Sequence, residues 1–279
     1  MIPNIVVKAN IIPGVAGTLE MQAAIEYWKT QQRQEGVSDR DIRMVEEAIQ
    51  DSLNGEDMDD FGRRYFVLNA FAPENSSVLQ IGITTLPEIF GFDEFQEIEH
   101  FEVHYAKNLK KLPISMSLMT KIRHFEINYC GLEEIEGDLI RNNPDIGFFS
   151  VPENNLSTIP PEISDLRNIE TLDLSYNKIK FLPDAIGNLR NTEALDPELK
   201  LNDNELCTLP VSIEMLTEWS IAYRNNPFEM QNPFGCIPRH QDSGKALIIQ
   251  LSQYKNYFRS PEDAQWLDLT MRLMQITGA

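Results

Sequence analysis

The sequence is poor in cysteine and in basic residues. Its three cysteines, Cys130, Cys207 and Cys236, are odd in number and widely spaced. They predict neither a disulfide framework nor a zinc ligand set, and they favour a reducing compartment. Lysine and arginine number 24 against 43 aspartates and glutamates, which gives a formal net charge of −19. This deficit argues against nucleic acid as a partner, because no excess of cations can neutralise phosphates, and it disfavours an anionic membrane surface.

Long apolar runs are also missing. The apolar stretch 1–17 opens without a basic segment and is interrupted by Lys8, so it predicts neither a signal peptide nor a membrane span. No other segment is long enough to cross a bilayer, and the sequence predicts a soluble protein. The acidity favours either the solubility of an elongated chain or the electrostatic steering of a basic partner, and both interpretations stay open.

What the sequence does have is a repeat of about 23 residues. Each copy has apolar positions in the pattern of Ile169, Leu172 and Leu174, then Asn or Cys, then a Leu-Pro or Ile-Pro pair in most copies. The intervals between successive copies are 23, 24, 23, 27 and 22 residues, measured at the apolar residue two places after the Asn or Cys. A repeat of this period is typical of a solenoid, in which one unit cannot bury its own core and stacked units close a shared one.

The physical chemistry of the repeat predicts which side chains point inward. Alternation with period two places Leu172 and Leu174 inside and Asp173 and Ser175 outside. The Asn or Cys that follows can bond to backbone groups where the chain turns away from the sheet. The proline removes a backbone donor and discourages another strand on the return path. The expected fold is therefore a curved α/β solenoid with a parallel β-sheet on the concave side.

These motifs resemble the leucine-rich repeats of the short L-x-x-L-x-L-x-x-N-x-L-x-x-L-P type over roughly residues 80–230. The resemblance implies a protein-recognition role carried mostly by the concave face, and it does not identify the partner. The predicted organisation is an N-terminal helical cap region at 1–77, leucine-rich repeats at 78–230 and a C-terminal helical cap at 231–279.

Both predicted caps are helical. Residues 18–35 indicate a helix ended by Gly36, and Ser38 with Asp41 forms a capping signature for a second helix. This arrangement resembles the N-terminal cap of secreted bacterial effectors of the IpaH and YopM type, although residues 54–77 form a longer connection than that family usually has. At the other end, residues 245–258 and a helix beginning at Ser260 indicate a C-terminal cap or a separate partner-binding module.

No motif predicts catalysis. Some effectors of the IpaH type carry a ubiquitin-ligase domain with a nucleophilic cysteine followed closely by aspartate. Cys236 is the one candidate here, but it lacks the Cys-x-Asp pattern and only residues 237–279 follow it. Phosphate loops, helical His-Glu-x-x-His motifs and nucleophile elbows are absent from the sequence. We therefore expect no enzyme, no catalytic residue and no cofactor.

One constellation on the predicted concave face has chemical potential. His100 and His124, and likewise Glu102 and Glu126, should be lateral neighbours on adjacent strands about 4.8 Å apart. Imidazoles with carboxylates could ligate a transition metal or respond to mild acid. A solvated, hydrogen-bonded patch is the commoner arrangement, so the sequence alone assigns no metal.

The whole outward-facing set forms the predicted protein-binding surface. Phe148, Trp219 and Arg224 stand out because aromatic residues and arginine are favoured at binding hot spots. Trp219 lies at the entry to the last strand and its direction is open, and an insertion near 196–198 makes the register of Lys200 less certain. The predicted surface comprises His100, Glu102, His104, His124, Glu126, Asn128, Phe148, Ser150, Thr171, Asp173, Ser175, Lys200, Asn202, Trp219 and Arg224.

Three functions follow from these features. The first is a protein-binding scaffold, acting as a bacterial effector secreted into the host cytoplasm and engaging a host protein. The second is an adaptor in the bacterial or eukaryotic cytoplasm that binds a small GTPase or kinase of its own cell. The third is a ubiquitin ligase that uses Cys236, which the missing Cys-x-Asp pattern disfavours. The oligomeric state is not predictable from the sequence.

Overall fold

The computed structural model describes residues 18–54, 63–69, 80–189, 196–207 and 209–227, together with the two-residue strand at 242–243. Within them the chain forms one eight-stranded sheet whose strands lie in chain order, the first seven parallel and the last antiparallel. This confirms the predicted curved solenoid. The strands are β1 (Arg64–Leu68), β2 (Ile98–His104), β3 (His124–Asn128), β4 (Phe148–Ser150), β5 (Thr171–Asp173), β6 (Glu198–Lys200), β7 (Ser220–Ala222) and β8 (Asp242–Ser243).

The return path of each repeat is a short helical turn on the side opposite the sheet. Most of these turns begin directly after a proline, whose fixed φ suits the extended residue that precedes a turn. One repeat has an α-helix, α3 (Gly137–Asn142), in this place. The 3₁₀ turns are Asp93–Phe95, Ile114–Leu118, Pro161–Asp165, Asp184–Asn188 and Val211–Met215.

Two helices precede the sheet, as the sequence predicts. Helix α1 (Leu19–Gln34) is capped by Thr18, whose Oγ1 accepts a hydrogen bond from the Met21 amide at 3.3 Å. It ends before Gly36, which has a φ of +82° that a residue without Cβ adopts at no steric cost. Helix α2 (Asp39–Asn54) follows Ser38, whose Oγ accepts from the Asp41 amide at 3.2 Å. Both helix boundaries confirm the capping signals.

Polar contacts tie these helices to the start of the repeats. The buried Trp28 donates from Nε1 to the Thr85 carbonyl at 2.8 Å. Gln32, also buried, accepts from the Thr84 amide at 2.9 Å and donates to the Thr84 hydroxyl at 2.8 Å. The Asp41 carboxylate accepts from the Gly82 amide at 3.2 Å. Because strands and coils at a solenoid end expose backbone groups and core, this docking covers the first turn of the array.

The core between the sheet and the return path is built from one inward column per strand position. In one of these columns four phenylalanine rings lie in register across β1 to β4, with centroids 4.9 Å apart for Phe66 and Phe101, 5.9 Å for Phe101 and Phe125, and 5.0 Å for Phe125 and Phe149. All four are fully buried. The same column continues with aliphatic side chains, Leu172, Leu199 and Ile221.

Asparagine side chains connect each repeat to its neighbours. Asn177 accepts from the Leu156 amide at 3.0 Å and donates to the carbonyls of Val151 (2.9 Å), Leu174 (3.2 Å) and Ser175 (3.1 Å). Each bond to a preceding repeat satisfies a backbone group that the turn leaves without a strand partner. The prediction that this slot bonds to the backbone is confirmed. Asn154, Asn204 and Asn226 make equivalent contacts, and Cys130 makes weaker ones through Sγ.

The sequence-based organisation needs two corrections. Strand β1 lies inside the region predicted as a helical cap, so the sheet begins at Arg64 rather than after residue 77. Glu198, predicted to belong to an insertion, begins β6 and pairs in register with Thr171. The predicted C-terminal helices at 245–258 and beyond Ser260, and Cys236 with them, lie outside the described residues. Among the described helices, none combines the length and apolarity needed to cross a bilayer.

Two glycines distinguish close backbone approach from ordinary van der Waals contact. A Cβ at Gly131 would lie 2.1 Å from the Lys107 carbonyl oxygen in the preceding repeat, whereas at Gly147 the nearest atom is the Asn168 oxygen at 3.7 Å. We expect Gly131→Ala to lower the free energy of unfolding by about 1–3 kcal/mol, because the backbone of the neighbouring repeat has to shift. Gly147→Ala should stay within about 0.5 kcal/mol of the parent protein. Urea denaturation followed by circular dichroism measures both, and equal losses would contradict the close approach at Gly131.

Candidate functional site: the concave face

Parallel pairing aligns the outward side chains of the sheet into rows that run across the strands. The first row begins at Tyr65 on β1, and the second row begins two residues later at Val67. The first row then contains His100, His124, Phe148, Thr171, Glu198 and Ser220. The second row then contains Glu102, Glu126, Ser150, Asp173, Lys200 and Ala222.

The first row starts as a column of rings. Tyr65 meets His100 edge-on with centroids 4.5 Å apart. His100 and His124 stack at 3.8 Å with an interplanar angle of 8°, and His124 stacks on Phe148 at 4.3 Å and 10°. Adjacent strands set this spacing, because equivalent side chains on neighbouring strands are about 4.8 Å apart. Two imidazoles are therefore held side by side between two larger aromatic rings.

The second row presents two carboxylates beside these imidazoles. Glu102 Oε1 contacts His100 Nε2 at hydrogen-bond distance and lies 3.6 Å from His124 Nε2, while its Oε2 lies 3.4 Å from His104 Nε2. Glu126 Oε2 lies 3.1 Å from His124 Nε2, and its Oε1 lies 3.9 Å from His104 Nε2. Asn128 donates from Nδ2 to Glu126 Oε1. We call His100, Glu102, His104, His124, Glu126 and Asn128 the His–Glu cluster, and the structure brings all six of these predicted residues together.

Electrostatics favour the ionised form of the central carboxylate. Hydrogen bonding to His100, and then to His104, holds the pKa of Glu102 well below its usual range, although burial opposes this shift. The shift is the one expected when donors stabilise a charged acceptor. Glu102 is thus a carboxylate, with two oxygens that face different imidazoles.

The predicted residues on the later strands pair more locally. Asp173 accepts hydrogen bonds from both the backbone amide (3.0 Å) and the hydroxyl of Ser175. Lys200 forms an ion pair with Glu198 at 3.0 Å, which confirms its outward direction. Asn202 Oδ1 accepts from the exposed Arg224 backbone amide at 2.8 Å, so these two residues meet beyond the strand ends. Thr171 is half-buried in the first row.

Three predicted surface residues have little or no exposure. The sequence left the direction of Trp219 open. The structure shows Trp219 inside the core with 4% of its surface exposed, so its assignment to the binding surface is wrong. The strand begins one residue later, and Ser220 takes the outward position. Ser150 and Ser175 are 4% and 6% exposed.

Several surface residues were missed by the sequence analysis. Tyr65 and Val67 were missed with β1 itself, whereas Glu198 could have been found from the inward alternation of Leu199 and Leu201. The more important omission is a set of residues with positive φ, each at the turn that follows a strand. We call this set the rim; it comprises Tyr105, Tyr129, Glu153, Tyr176, Asp203 and Asn225.

The rim exposes aromatic surface next to negative charge. Tyr105 and Tyr129 stack with centroids 5.1 Å apart, and Tyr129 and Tyr176 are 49% and 50% exposed. The negative charge of Asp203 raises the pKa of the Tyr176 hydroxyl. A non-glycine residue with positive φ costs free energy in its turn, so the large side chains here occupy positions that asparagine or glycine would fill with less strain.

Comparison with known proteins supports the repeat architecture. Residues 168–189 match the family model described as Leucine Rich Repeat. The chain contains a leucine-rich repeat. It is similar in structure to a leucine-rich-repeat protein of Leptospira interrogans, with 26% identity, a TM-score of 0.41 and coverage of 50% of this chain and 34% of that one. The sequence matches no curated protein.

Two further solved structures are similar to this chain. YopM, a leucine-rich effector protein from Yersinia pestis, is 19% identical with a TM-score of 0.48 over 76% of this chain and 49% of that one. A plant ice-binding protein is 18% identical with a TM-score of 0.47 over 61% and 52%. This chain spans from about a third to about half of the length of these structures. Leucine-rich repeats are typically non-catalytic scaffolds that bind other proteins through extended concave surfaces, and this chain has the repeat fold.

Proposed function

We propose that this scaffold binds a protein partner through the concave face and the adjoining rim. The observation that carries the proposal is the aromatic surface there: Tyr129 and Tyr176 are half-exposed on the rim, and Phe148 stands in the first row. Tyrosine contributes large contact area at low cost in side-chain entropy, and aromatic residues with arginine dominate binding hot spots. Arg224, exposed just after β7, adds a cation at the far end.

We further propose that the protein acts as a secreted bacterial effector inside a host cell. The support is the N-terminal arrangement, which resembles the cap of secreted bacterial effectors. A tryptophan-bearing helix and a second acidic helix lead into the first repeat. Trp28 and Gln32 dock α1 on Thr84 and Thr85, so the two helices and the repeats act as one scaffold. The acidic composition is compatible with a basic host surface as the target.

Crosslinking and mass spectrometry with host cytosol tests the binding surface. The variant Tyr129→Ser/Tyr176→Ser should reduce capture of the crosslinked partner by about 30-fold, since truncation of a hot spot costs roughly 2 kcal/mol. Phe181→Ser is the matched control, because Phe181 is 59% exposed but lies on the return path and not on the sheet or rim. It should leave capture unchanged.

The outcomes separate the two parts of the proposal. Full capture by the double tyrosine variant together with loss in Phe181→Ser would move the binding surface to the return path. Partners that are captured from a bacterial lysate and never from host cytosol would contradict the effector role and leave the scaffold role standing.

A further inference from the structure

The His–Glu cluster brings several potential metal-ligand atoms close together. One nitrogen from each of His100 and His124 and one oxygen of Glu102 lie within 4.8 Å of one another. Glu126 Oε2 adds a fourth donor 3.1 Å from His124 Nε2. Bonds from zinc to nitrogen or carboxylate oxygen are about 2.0–2.2 Å long, so donors around one ion stand about 3.4 Å apart. His124 Nε2 and Glu102 Oε1 are already 3.6 Å apart, whereas His100 Nε2, in direct contact with Glu102 Oε1, would move outward to admit the ion. These side chains are only partly buried.

The charge of the cluster favours a cation. Glu102 and Glu126 are paired directly across adjacent strands, where like charges destabilise a sheet. Nearest to them are imidazoles, and His100, His104 and His124 are neutral unless protonated. The lysine of the second row, Lys200, lies four strands away from Glu102 and pairs with Glu198. A divalent ion would balance the two carboxylates.

The donor set selects the class of ion. Two imidazoles with carboxylate oxygen suit zinc, copper, nickel and similar ions, whereas magnesium and calcium prefer sets made of oxygen alone. A second group, Glu102, His104 and Glu126, also brings its ligand atoms within 4.8 Å but has one imidazole. The first group has two, stacked 3.8 Å apart in the ring column between Tyr65 and Phe148. A tilt of the two rings toward each other would direct both Nε2 lone pairs at one ion.

We infer that the His–Glu cluster is a binding site for one divalent transition-metal ion of the zinc class, with His100, His124 and Glu102 as ligands. The Nε2 atoms that now face the carboxylates would bind the ion, and each neutral imidazole would then carry its proton on Nδ1. Glu126 offers the fourth ligand, and Asn128, which donates to its other oxygen, orients that carboxylate. The inference is independent of the proposed partner, because the ion binds to the chain alone.

Isothermal titration of the full chain, stripped with chelator and titrated with Zn²⁺, tests the site. We expect one equivalent to bind, and Co²⁺ to give the visible absorption of a site with nitrogen ligands. His124→Phe should weaken Zn²⁺ binding by more than about 100-fold, because even residues that only orient a ligand are worth 10–100-fold. This variant keeps the ring stack, since Phe148 already occupies the same slot on the next strand. Mg²⁺ and Ca²⁺ should give no measurable heat at the same concentrations.

Two controls make the result decisive. Thr171→Ala removes a first-row side chain beyond Phe148 and should bind Zn²⁺ like the parent protein. His104→Gln should weaken binding less than tenfold, because His104 belongs to the second group. An unchanged isotherm in His124→Phe, or a larger loss in His104→Gln than in His124→Phe, would overturn the assignment. Circular dichroism of each variant shows that any loss does not come from unfolding.

Discussion

Phe125→Ala should lower the free energy of unfolding by about 3–5 kcal/mol, the range for removing a large aromatic side chain from a core. Phe125 is fully buried and lies between Phe101 and Phe149 in the inward ring column. Its loss therefore leaves a cavity between these two neighbouring rings. Urea denaturation followed by circular dichroism, with the slope of the transition compared between variants, measures the change.

Phe148→Ala is the matched control for this core prediction. Phe148 precedes Phe149 in the same strand, but its ring stands on the outward face against His124. Its removal should cost about 1 kcal/mol, the value of an aromatic contact at a partly exposed site. Equal losses for Phe125→Ala and Phe148→Ala would mean that the two faces of the sheet do not differ as the structure shows.

Asn177→Ala should cost about 3 kcal/mol. Its buried side chain makes one bond to an amide and three to carbonyls, and alanine leaves all four of these backbone groups without that partner. An unsatisfied buried donor or acceptor costs about 1–3 kcal/mol, and turn carbonyls near solvent recover part of the loss from water. Besides the unfolding free energy, amide hydrogen exchange should become faster at Leu156, whose N–H loses its acceptor.

Cys130→Ala tests whether the stability lost at this repeat position depends on the hydrogen bonds of the asparagine amide or only on the presence of a side chain there. Cys130 occupies the equivalent position, but its sulfur contacts are 3.3–3.6 Å long and sulfur is a weak hydrogen-bonding group. Burial raises the pKa of the Cys130 thiol to about 12, so it remains protonated and uncharged. We expect a loss of about 1 kcal/mol. A loss as large as that of Asn177→Ala would refute the importance of the amide.

Much of the fold was predictable because the same pattern of apolar and polar residues recurs in each repeat. Leu172 and Leu174 alternate with Asp173, and Asn177 follows at the same offset as in its neighbours, so errors at one position are corrected by the others. The end of α1 and the start of α2 were predictable for a different reason, since Gly36 and Ser38 act locally.

The errors fall where a position has no repeated context. Strand β1 shows only Phe66 and Leu68 as an inward pair, with Phe71 rather than asparagine in the slot three residues later, and its pairing partner lies more than thirty residues away. Trp219 stands just before β7, in the slot that Glu170 fills with an exposed side chain. The repeat therefore did not reveal that Trp219 continues the inward alternation of Ile221.

The candidate site was predictable in its membership and not in its contacts. Lateral pairing of His100 with His124 and of Glu102 with Glu126 follows from the repeat period alone. The division of each carboxylate between two imidazoles depends on side-chain rotation, which the sequence does not specify. The ring of Tyr65 that closes the column comes from the strand that the sequence did not reveal.

The asparagine contacts have a consequence for changes in chain length. Asn177 serves Leu156, just as Asn154 serves Leu132, and 23 residues separate the two asparagines. Deleting one complete unit between them would bring Asn177 to the place of Asn154, where its side chain would accept the hydrogen bond from the Leu132 amide. A deletion of a few residues would instead leave that amide facing an unrelated side chain. Gene segments of this chain can therefore be lost or duplicated as whole periods, and shorter insertions survive only outside the span from one strand to its asparagine.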